Sequence, residues 1–358
     1  MDKIKVGVLG ATGMVGRTYI SLLENHPWFE VGYVAASERS AGKTYAQSVE
    51  GRWHLKHKVP DSVKGLVVQP VGAVVEAKKH CSFVFSALDS GAARQYEELY
   101  AAAGFPVISN ASAHRSTRDV PMLIPEINPE HADIIPLQQK NKKWKSGFIA
   151  VKPNCSIQSY IAPLFALHKD FKAKQVVVTT LQAISGGGHS GFGTIDIEDN
   201  IIPFINGEEE KSEREPLKIF GSIQGNEIKP GILPVISAHC NRVPVLDGHM
   251  ACVSVKFEKK PTMEQIVKAW KSFSGVPQQL KLPSAPKHPI IYEDAADHPQ
   301  TRYDRDNENG MAVTVGRLRE CNILDYRFVG VSHNMIRGAA GGSILTAELL
   351  KSKGFIVR

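Results

Sequence analysis

The stretch Ile4-Lys5-Val6-Gly7-Val8-Leu9-Gly10-Ala11-Thr12-Gly13-Met14-Val15-Gly16 decides the fold. Residues 4–9 form an apolar run of strand length. Glycines follow at 10, 13 and 16, and helical spacing then runs from Met14 to about Leu23. Glycines at a strand–helix junction let the backbone turn tightly and approach a pyrophosphate, whose charge suits the helix N-terminus. The same rhythm continues outward. Strands are expected over 30–36, 83–86 and 106–109, with a helix over 91–103. Such alternation predicts an α/β fold with a Rossmann-type, doubly wound parallel sheet.

After about residue 155 the pattern changes. The runs 175–181 and 249–257 alternate apolar and polar residues, a helix is expected at 262–273, and another strand at 326–331. Alternation implies a sheet with one face on helices and the other on a partner or solvent, hence an α+β second domain. Helical spacing returns over 335–353.

Composition narrows the class. The chain has 358 residues, enough for two domains, with 42% hydrophobic and 22% charged residues. No apolar run reaches a membrane span, and the immediate first strand leaves no room for a signal peptide. Cysteines 81, 155, 240, 252 and 321 show neither metal-ligand nor disulfide spacing. The expectation is therefore a cytoplasmic protein with no metal. The net charge of +7 suits anionic ligands. The basic run at 140–145 is too short to suggest nucleic-acid binding.

Cofactor choice is read at the end of the second strand, where NAD enzymes tend to place an acid. Here Ser37, Arg39 and Ser40 suit a 2′-phosphate, with Arg39 as its clamp, and Glu38 is expected to point away. NADP(H) is the expected cofactor. Gly10, Thr12, Gly13, Met14 and Val15 in the loop, with Ser86 and Ala87 after the strand at 83–86, complete the expected contacts.

Lys152-Pro153-Asn154-Cys155-Ser156 places a cysteine after a Pro-Asn turn at an expected helix start, where a thiol pKa falls. Pro163 would kink a helix running through 156–168. Cys81, Cys252 and Cys321 read instead as small buried hydrophobes.

Four motifs occur in order: Gly10-Ala-Thr-Gly13-Met-Val-Gly16, Pro153-Asn-Cys155-Ser, Gln182-Ala-Ile-Ser-Gly186 and Asn241-Arg242-Val-Pro-Val-Leu-Asp-Gly-His249. Together, and across the whole chain, they resemble the archaeal and fungal branch of the aspartate-β-semialdehyde dehydrogenases. The resemblance implies NADPH-dependent reduction of aspartyl phosphate to aspartate semialdehyde and phosphate, by a homodimer or homotetramer. It implies a Rossmann domain of residues 1–154 and 333–358 and a catalytic and dimerisation domain of residues 155–332.

By the same resemblance Cys155 is the nucleophile, His249 the acid–base group and Gln182 the substrate-orienting residue. Arg242 would hold the substrate carboxylate and Glu208 its amino group. Lys211 and Arg115 would be the phosphate cations, and Asn154 a further substrate contact. Ser185 and Gly186 would lie beside the nicotinamide, with Asn334 near its amide. The Ser-Gly-Gly-Gly-His run at 185–189 departs from the commoner Ser-Gly-Ala-Gly.

Arg242 and His249 are seven residues apart, which on a flat strand would send them to opposite faces. Asp247-Gly248 reads as a turn that lets both face one cleft. Residues alone leave His189, His239 and His333 as rivals to His249. A malonyl-CoA reductase would use the same cysteine and NADPH. An N-acetyl-γ-glutamyl-phosphate reductase usually shows Gly-Cys-Tyr at the nucleophile. A nonenzymatic NADP-binding regulator is the alternative from another class.

Overall fold

The computed structural model describes residues 2–187 and 197–357. Strands β1 (Ile4–Leu9), β2 (Phe29–Ala36), β3 (Gln69–Pro70), β4 (Phe83–Ser86), β5 (Pro106–Ser109) and β6 (Phe148–Val151) form a parallel sheet in the order β3-β2-β1-β4-β5-β6. Order reverses across β1 and β4, and the glycine loop follows β1 at that switch point, where open α/β sheets bind ligands. Helix α1 (Met14–Leu23) and helix α2 (Ser90–Ala102) match the expected positions within a residue.

Two glycines are required by contact rather than by composition. Gly10 has φ +77°, and a Cβ there would lie 2.6 Å from the Ala87 carbonyl oxygen. A Cβ on Gly16 would lie 2.2 Å from the Gly10 carbonyl, so only glycine lets α1 seat against the turn. Burial explains the all-apolar strands: Val6, Val8, Phe83 and Phe85 are inaccessible, and Tyr19 of α1 stacks on Phe85 at 4.6 Å.

The second sheet is mixed. Its strands are β7 (Ala173–Gln182), β10 (Val235–Arg242), β11 (His249–Phe257), β12 (Ile290–Glu293), β13 (Val313–Glu320) and β14 (Tyr326–Ser332), in the order β10-β7-β11-β14-β13-β12. A small hairpin, β8 (Ser222–Gln224) with β9 (Glu227–Lys229), lies outside it. Burial alternates along β10 and β11, as the sequence pattern demands. Helices α3 (Ile161–Phe171) and α5 (Met263–Lys271) pack together on one face, with Trp270 of α5 fully buried. The other face exposes Val177 and Val235 in the single chain. Cys252 is also exposed there and Cys321 is only half-buried, so neither is the core residue expected from sequence; both sit at outward positions or in the turn beyond them. Helix α4 (Glu208–Ile219) lies along edge strand β10, where its Glu213 and Glu209 accept from the Ala238 and Cys240 N–H groups.

The last helix, α6 (Ala340–Ser352), begins five residues later than its spacing suggested. Residues 335–339 are turns, because the Gly338 N–H bonds the His333 carbonyl, and a Cβ on Gly338 would lie 2.3 Å from the Asn334 carbonyl. Residues 340–350 are all buried. α6 packs on α1 and β5, as a helix apolar on every side requires.

Candidate active site

Three strand ends converge. Gln182 ends β7 and Arg242 ends β10, directly paired in a parallel register. β11 runs antiparallel to β7, so its first residue, His249, arrives at the same edge. Gly248 turns the chain there with φ +96°, and a Cβ on Gly186 would meet both Arg242 Nη1 and His249 Cε1 at 3.0 Å. Arg242 and His249 therefore share one cleft, as the Asp247-Gly248 turn suggested.

Cys155 enters from β6. It caps a single 3₁₀ turn, Ser156–Ser159, and the chain restarts as α3 at Ile161. This break at Tyr160 places Pro163 in the first turn of α3, where no kink is needed. Asn154 builds the turn: its Oδ1 accepts from the Ser156 N–H at 2.7 Å, while its Nδ2 donates to Glu208 at 2.9 Å. Its polar atoms are engaged inside the protein, so Asn154 positions its neighbours.

Cys155 Sγ lies 3.4 Å from His249 Nε2. His249 is fully buried, and its Nδ1 accepts the Ala183 N–H at 2.9 Å. A ring that accepts at Nδ1 carries its neutral proton on Nε2, facing the sulfur. Burial, with Arg242 adding to it, pushes the His249 pKa down to about 3. The imidazole is thus a neutral donor toward Cys155 in this geometry, not a ready base. Burial together with Glu208 pushes the thiol up to about 11. The lowering expected from a helix start does not appear, since a four-residue 3₁₀ turn has little dipole to offset desolvation.

Glu208 begins α4 and is buried. Burial works to raise its pKa, but Lys211 and hydrogen bonds from Lys211, Asn154 and Gln182 hold it below the usual range. Lys211 Nζ lies 2.8 Å away and Gln182 Nε2 3.2 Å. Arg242 is 3% exposed; its Nη1 donates to the Ala183 carbonyl, and among the described residues its Nε has no partner. A buried guanidinium with an unused donor is costly unless an anion completes it.

Arg115 stands close by but is fully engaged. It donates to the Lys152 and Asn110 carbonyls and to Glu215, whose other oxygen accepts the Asn154 N–H. Sequence reasoning missed Glu215, although residues 208, 211 and 215 share one helix face by their spacing. Asn334 likewise has both side-chain ends engaged, by the Gly248 N–H and by Ser185 Oγ. His333 lies next to Asp306, His239 is exposed, and His189 lies outside the described residues.

A cavity of about 510 Å³ opens over the glycine loop, lined by Thr12, Gly13, Met14, Ser37, Arg39 and Ser40. Arg17, Lys43 and Arg52 also line it and were not singled out from sequence; Glu38 does not line it. The signal for Arg17 was available, since it follows Gly13 by one helical turn. Four cations against Glu50 fit a phosphorylated dinucleotide. Ser86 ends β4 beside the loop and Ala87 follows it, against Gly10. Among the described residues no group of three His, Cys, Asp or Glu side chains could hold a metal ion, and no helix is long and apolar enough to cross a membrane.

Comparison with known proteins agrees with this geometry. Residues 5–135 match the family model "Semialdehyde dehydrogenase, NAD binding domain", and residues 164–337 match "Semialdehyde dehydrogenase, dimerisation domain". The chain is 45% identical to an aspartate-semialdehyde dehydrogenase of Archaeoglobus fulgidus, covering 97% of this chain and 98% of that one. A malonyl CoA reductase (NADP) of Metallosphaera sedula is 39% identical, over 99% and 98%. The solved structure of aspartate semialdehyde dehydrogenase with NADP from Candida albicans is 41% identical, with TM-score 0.90 and coverage of 99% and 100%. The chain belongs to the aspartate-semialdehyde dehydrogenase family of oxidoreductases.

Proposed function

We propose that the protein catalyses the NADPH-dependent reductive dephosphorylation of L-aspartyl-4-phosphate to L-aspartate 4-semialdehyde and phosphate, in the biosynthesis of lysine, threonine and methionine. The observation that carries this reading is the pairing of a nucleophile with a site for an amino acid. Cys155 and His249 stand 3.4 Å apart, beside a buried guanidinium with an unused donor and a buried carboxylate. Arg242 takes the substrate α-carboxylate and Glu208 its ammonium, and Gln182, bonded to Glu208, orients both. Lys211 faces the phosphate. Arg115 adds positive charge through Glu215 and Asn154 rather than by contact.

The Cys155 thiolate attacks the acyl carbon, the C–O bond to phosphate breaks, and a thioester remains on the sulfur. NADPH, when bound, supplies the hydride that reduces the thioester. His249 Nε2–H and the Cys155 backbone N–H donate to the oxygen that gains charge at each tetrahedral stage. Collapse then expels the thiolate and releases the aldehyde. The sulfur returns as the thiolate and the one proton the cycle consumes goes from solvent to the departing phosphate, so a neutral imidazole donor serves both tetrahedral stages.

When bound, the dinucleotide would be held by the Gly10–Val15 loop, by Ser86 and Ala87 at the end of and just after β4, and at its nicotinamide end by Ser185, Gly186 and Asn334. Arg39, with Ser37 and Ser40, would hold its 2′-phosphate. Arg39→Ala weakens NADP at least about tenfold while changing NAD binding little, as loss of one charge-assisted contact requires. Titration of both cofactors checks this, and equal losses would remove Arg39 from phosphate recognition. We assign residues 1–154 and 333–358 to cofactor binding and residues 155–332 to catalysis and self-association, in a homodimer or homotetramer. The scattered cysteines suit the cytoplasm.

The relative named malonyl CoA reductase motivates one discriminating assay. The protein is supplied with aspartate semialdehyde and NADP, with phosphate present, absent, or replaced by CoA. NADPH forms only with phosphate. A reaction that needs CoA instead, or NADPH oxidation with malonyl-CoA alone, would replace the substrate assignment.

A further inference from the structure

Lys218 is buried on α4, at a spacing that puts it on one helix face with Glu208, Lys211 and Glu215. Its ammonium has three N–H donors, and three backbone carbonyls receive them: Arg115 at 2.8 Å, Thr117 at 2.7 Å and Val120 at 2.9 Å. No donor is left for a carboxylate. Burial brings the Lys218 pKa down to about 8, against the pull of Asp119 and Glu215, so the group is an ammonium at neutral pH. An ammonium among carbonyl oxygens does what a bound cation does in a carbonyl cage: it holds together dipoles that otherwise repel.

The three carbonyls belong to one irregular segment between β5 and β6. Without a strand or helix of its own, that segment must find its backbone partners elsewhere. The Ile228 N–H of β9 holds the Arg118 carbonyl at 2.9 Å, Gln138 Nε2 holds the Asp119 carbonyl at 2.9 Å, and Lys218 holds three more. The segment carries Arg115, whose guanidinium reaches the Lys152 carbonyl and Glu215, each at 2.9 Å. Glu215 in turn accepts the Asn154 N–H at 2.6 Å. The Lys152 carbonyl and the Asn154 N–H stand on either side of Pro153, in the turn that delivers Cys155. A continuous chain of short hydrogen bonds thus runs from Lys218 to that turn.

We propose that Lys218 is a positioning residue for the nucleophile: its ammonium fixes the segment that carries Arg115, and Arg115 with Glu215 fixes the turn at Pro153 from which Cys155 projects. Lys218 touches neither substrate nor cofactor in this account, and no bond is made or broken at it. α4 grips the turn directly through Glu208 and Glu215, and from behind through Lys218. The inference rests on Cys155 being the nucleophile, and it extends that reading by naming what holds the sulfur in line for attack.

Lys218→Ala removes the ammonium and leaves a carbonyl cage that n-propylammonium fits, since it replaces the carbons and the amine that were lost. Thermal unfolding and NADP titration establish that the variant is folded. A turn displaced by about 1 Å lowers kcat for aspartate semialdehyde about 10²-fold, with little change in KM. Added n-propylammonium raises kcat again, and n-propanol, of the same size without the charge, does not; each addition is compared with the native protein. Native kcat in the folded variant, or equal effects of amine and alcohol, overturns the proposal, because a lysine that only stabilises the fold lowers the unfolding temperature without that pattern. A second readout needs no substrate. Alkylation of Cys155 by iodoacetamide, followed by peptide mass, speeds up about threefold as the loosened turn solvates a half-buried thiol, and an unchanged rate overturns the proposal. Should Lys218→Ala not fold, Lys218→Met keeps the apolar stem without the charge and shows the same fall in kcat and the same faster alkylation. Phosphate-dependent turnover of the native protein reports separately on the role of Cys155, so the two readings fail distinguishably.

Discussion

Cys155→Ser lowers turnover by at least about 10⁴-fold, in the range seen when a covalent nucleophile is lost, and leaves the fold intact. The hydroxyl is close in size to the thiol, and Cys155 is half-buried beside polar partners, so packing changes little. Chemistry changes much more. A serine needs a base, and His249 Nδ1 is occupied by the Ala183 N–H while Nε2 already bears a proton. No partner can therefore activate the hydroxyl as a serine–histidine pair would. Thermal unfolding and NADP titration should match the native protein. Turnover above a few per cent of native would remove the covalent step, because no other described cysteine lies in this cleft.

Arg242→Leu lowers kcat/KM for aspartate semialdehyde by about 10²–10³-fold, corresponding to about 3–4 kcal/mol for a lost charge-assisted clamp and its neighbours. Two effects add. The substrate carboxylate loses a bidentate partner, which appears mainly in KM. The Ala183 carbonyl also loses its bond from Nη1, and the same residue's N–H fixes the His249 tautomer, so kcat falls as well. Lysine at this position restores charge but not the fork, and recovers only part of the loss. NADP affinity stays unchanged, since Arg242 lies outside the cavity over the glycine loop. A fall in NADP affinity with an unaltered KM would contradict the clamp.

The architecture was largely readable because periodicity and glycine placement report on backbone geometry. Residues 4–16 imply a strand, a turn and a helix, and they occur as expected. Segments where tertiary contacts set the conformation were not readable. Helical spacing at 335–339 is overridden by the Gly338 N–H bonding the His333 carbonyl, with Gly338 packed against the Asn334 carbonyl. Cys252 looked like core because a strand's inward face is set by register, not by composition.

Within the site, the residue types were legible and their electrical states were not. Sequence pointed to a lowered thiol pKa and a histidine base. The structure gives a raised thiol and a neutral donor, because desolvation depends on what packs around a group. Arg115 read as a phosphate ligand, yet its donors meet the nearby Asn110 carbonyl and, from far away in sequence, Glu215 and the Lys152 carbonyl. Glu215 was missed for the same reason: its partners, Arg115 and the Asn154 N–H, are brought to it only by folding.

The most direct measurement is intact mass after mixing the protein with L-aspartyl phosphate in the absence of cofactor. The account predicts an aspartyl adduct on Cys155, absent in Cys155→Ser, that disappears with aldehyde release when NADPH is added. Rapid turnover with native activity but no adduct on Cys155 would contradict it.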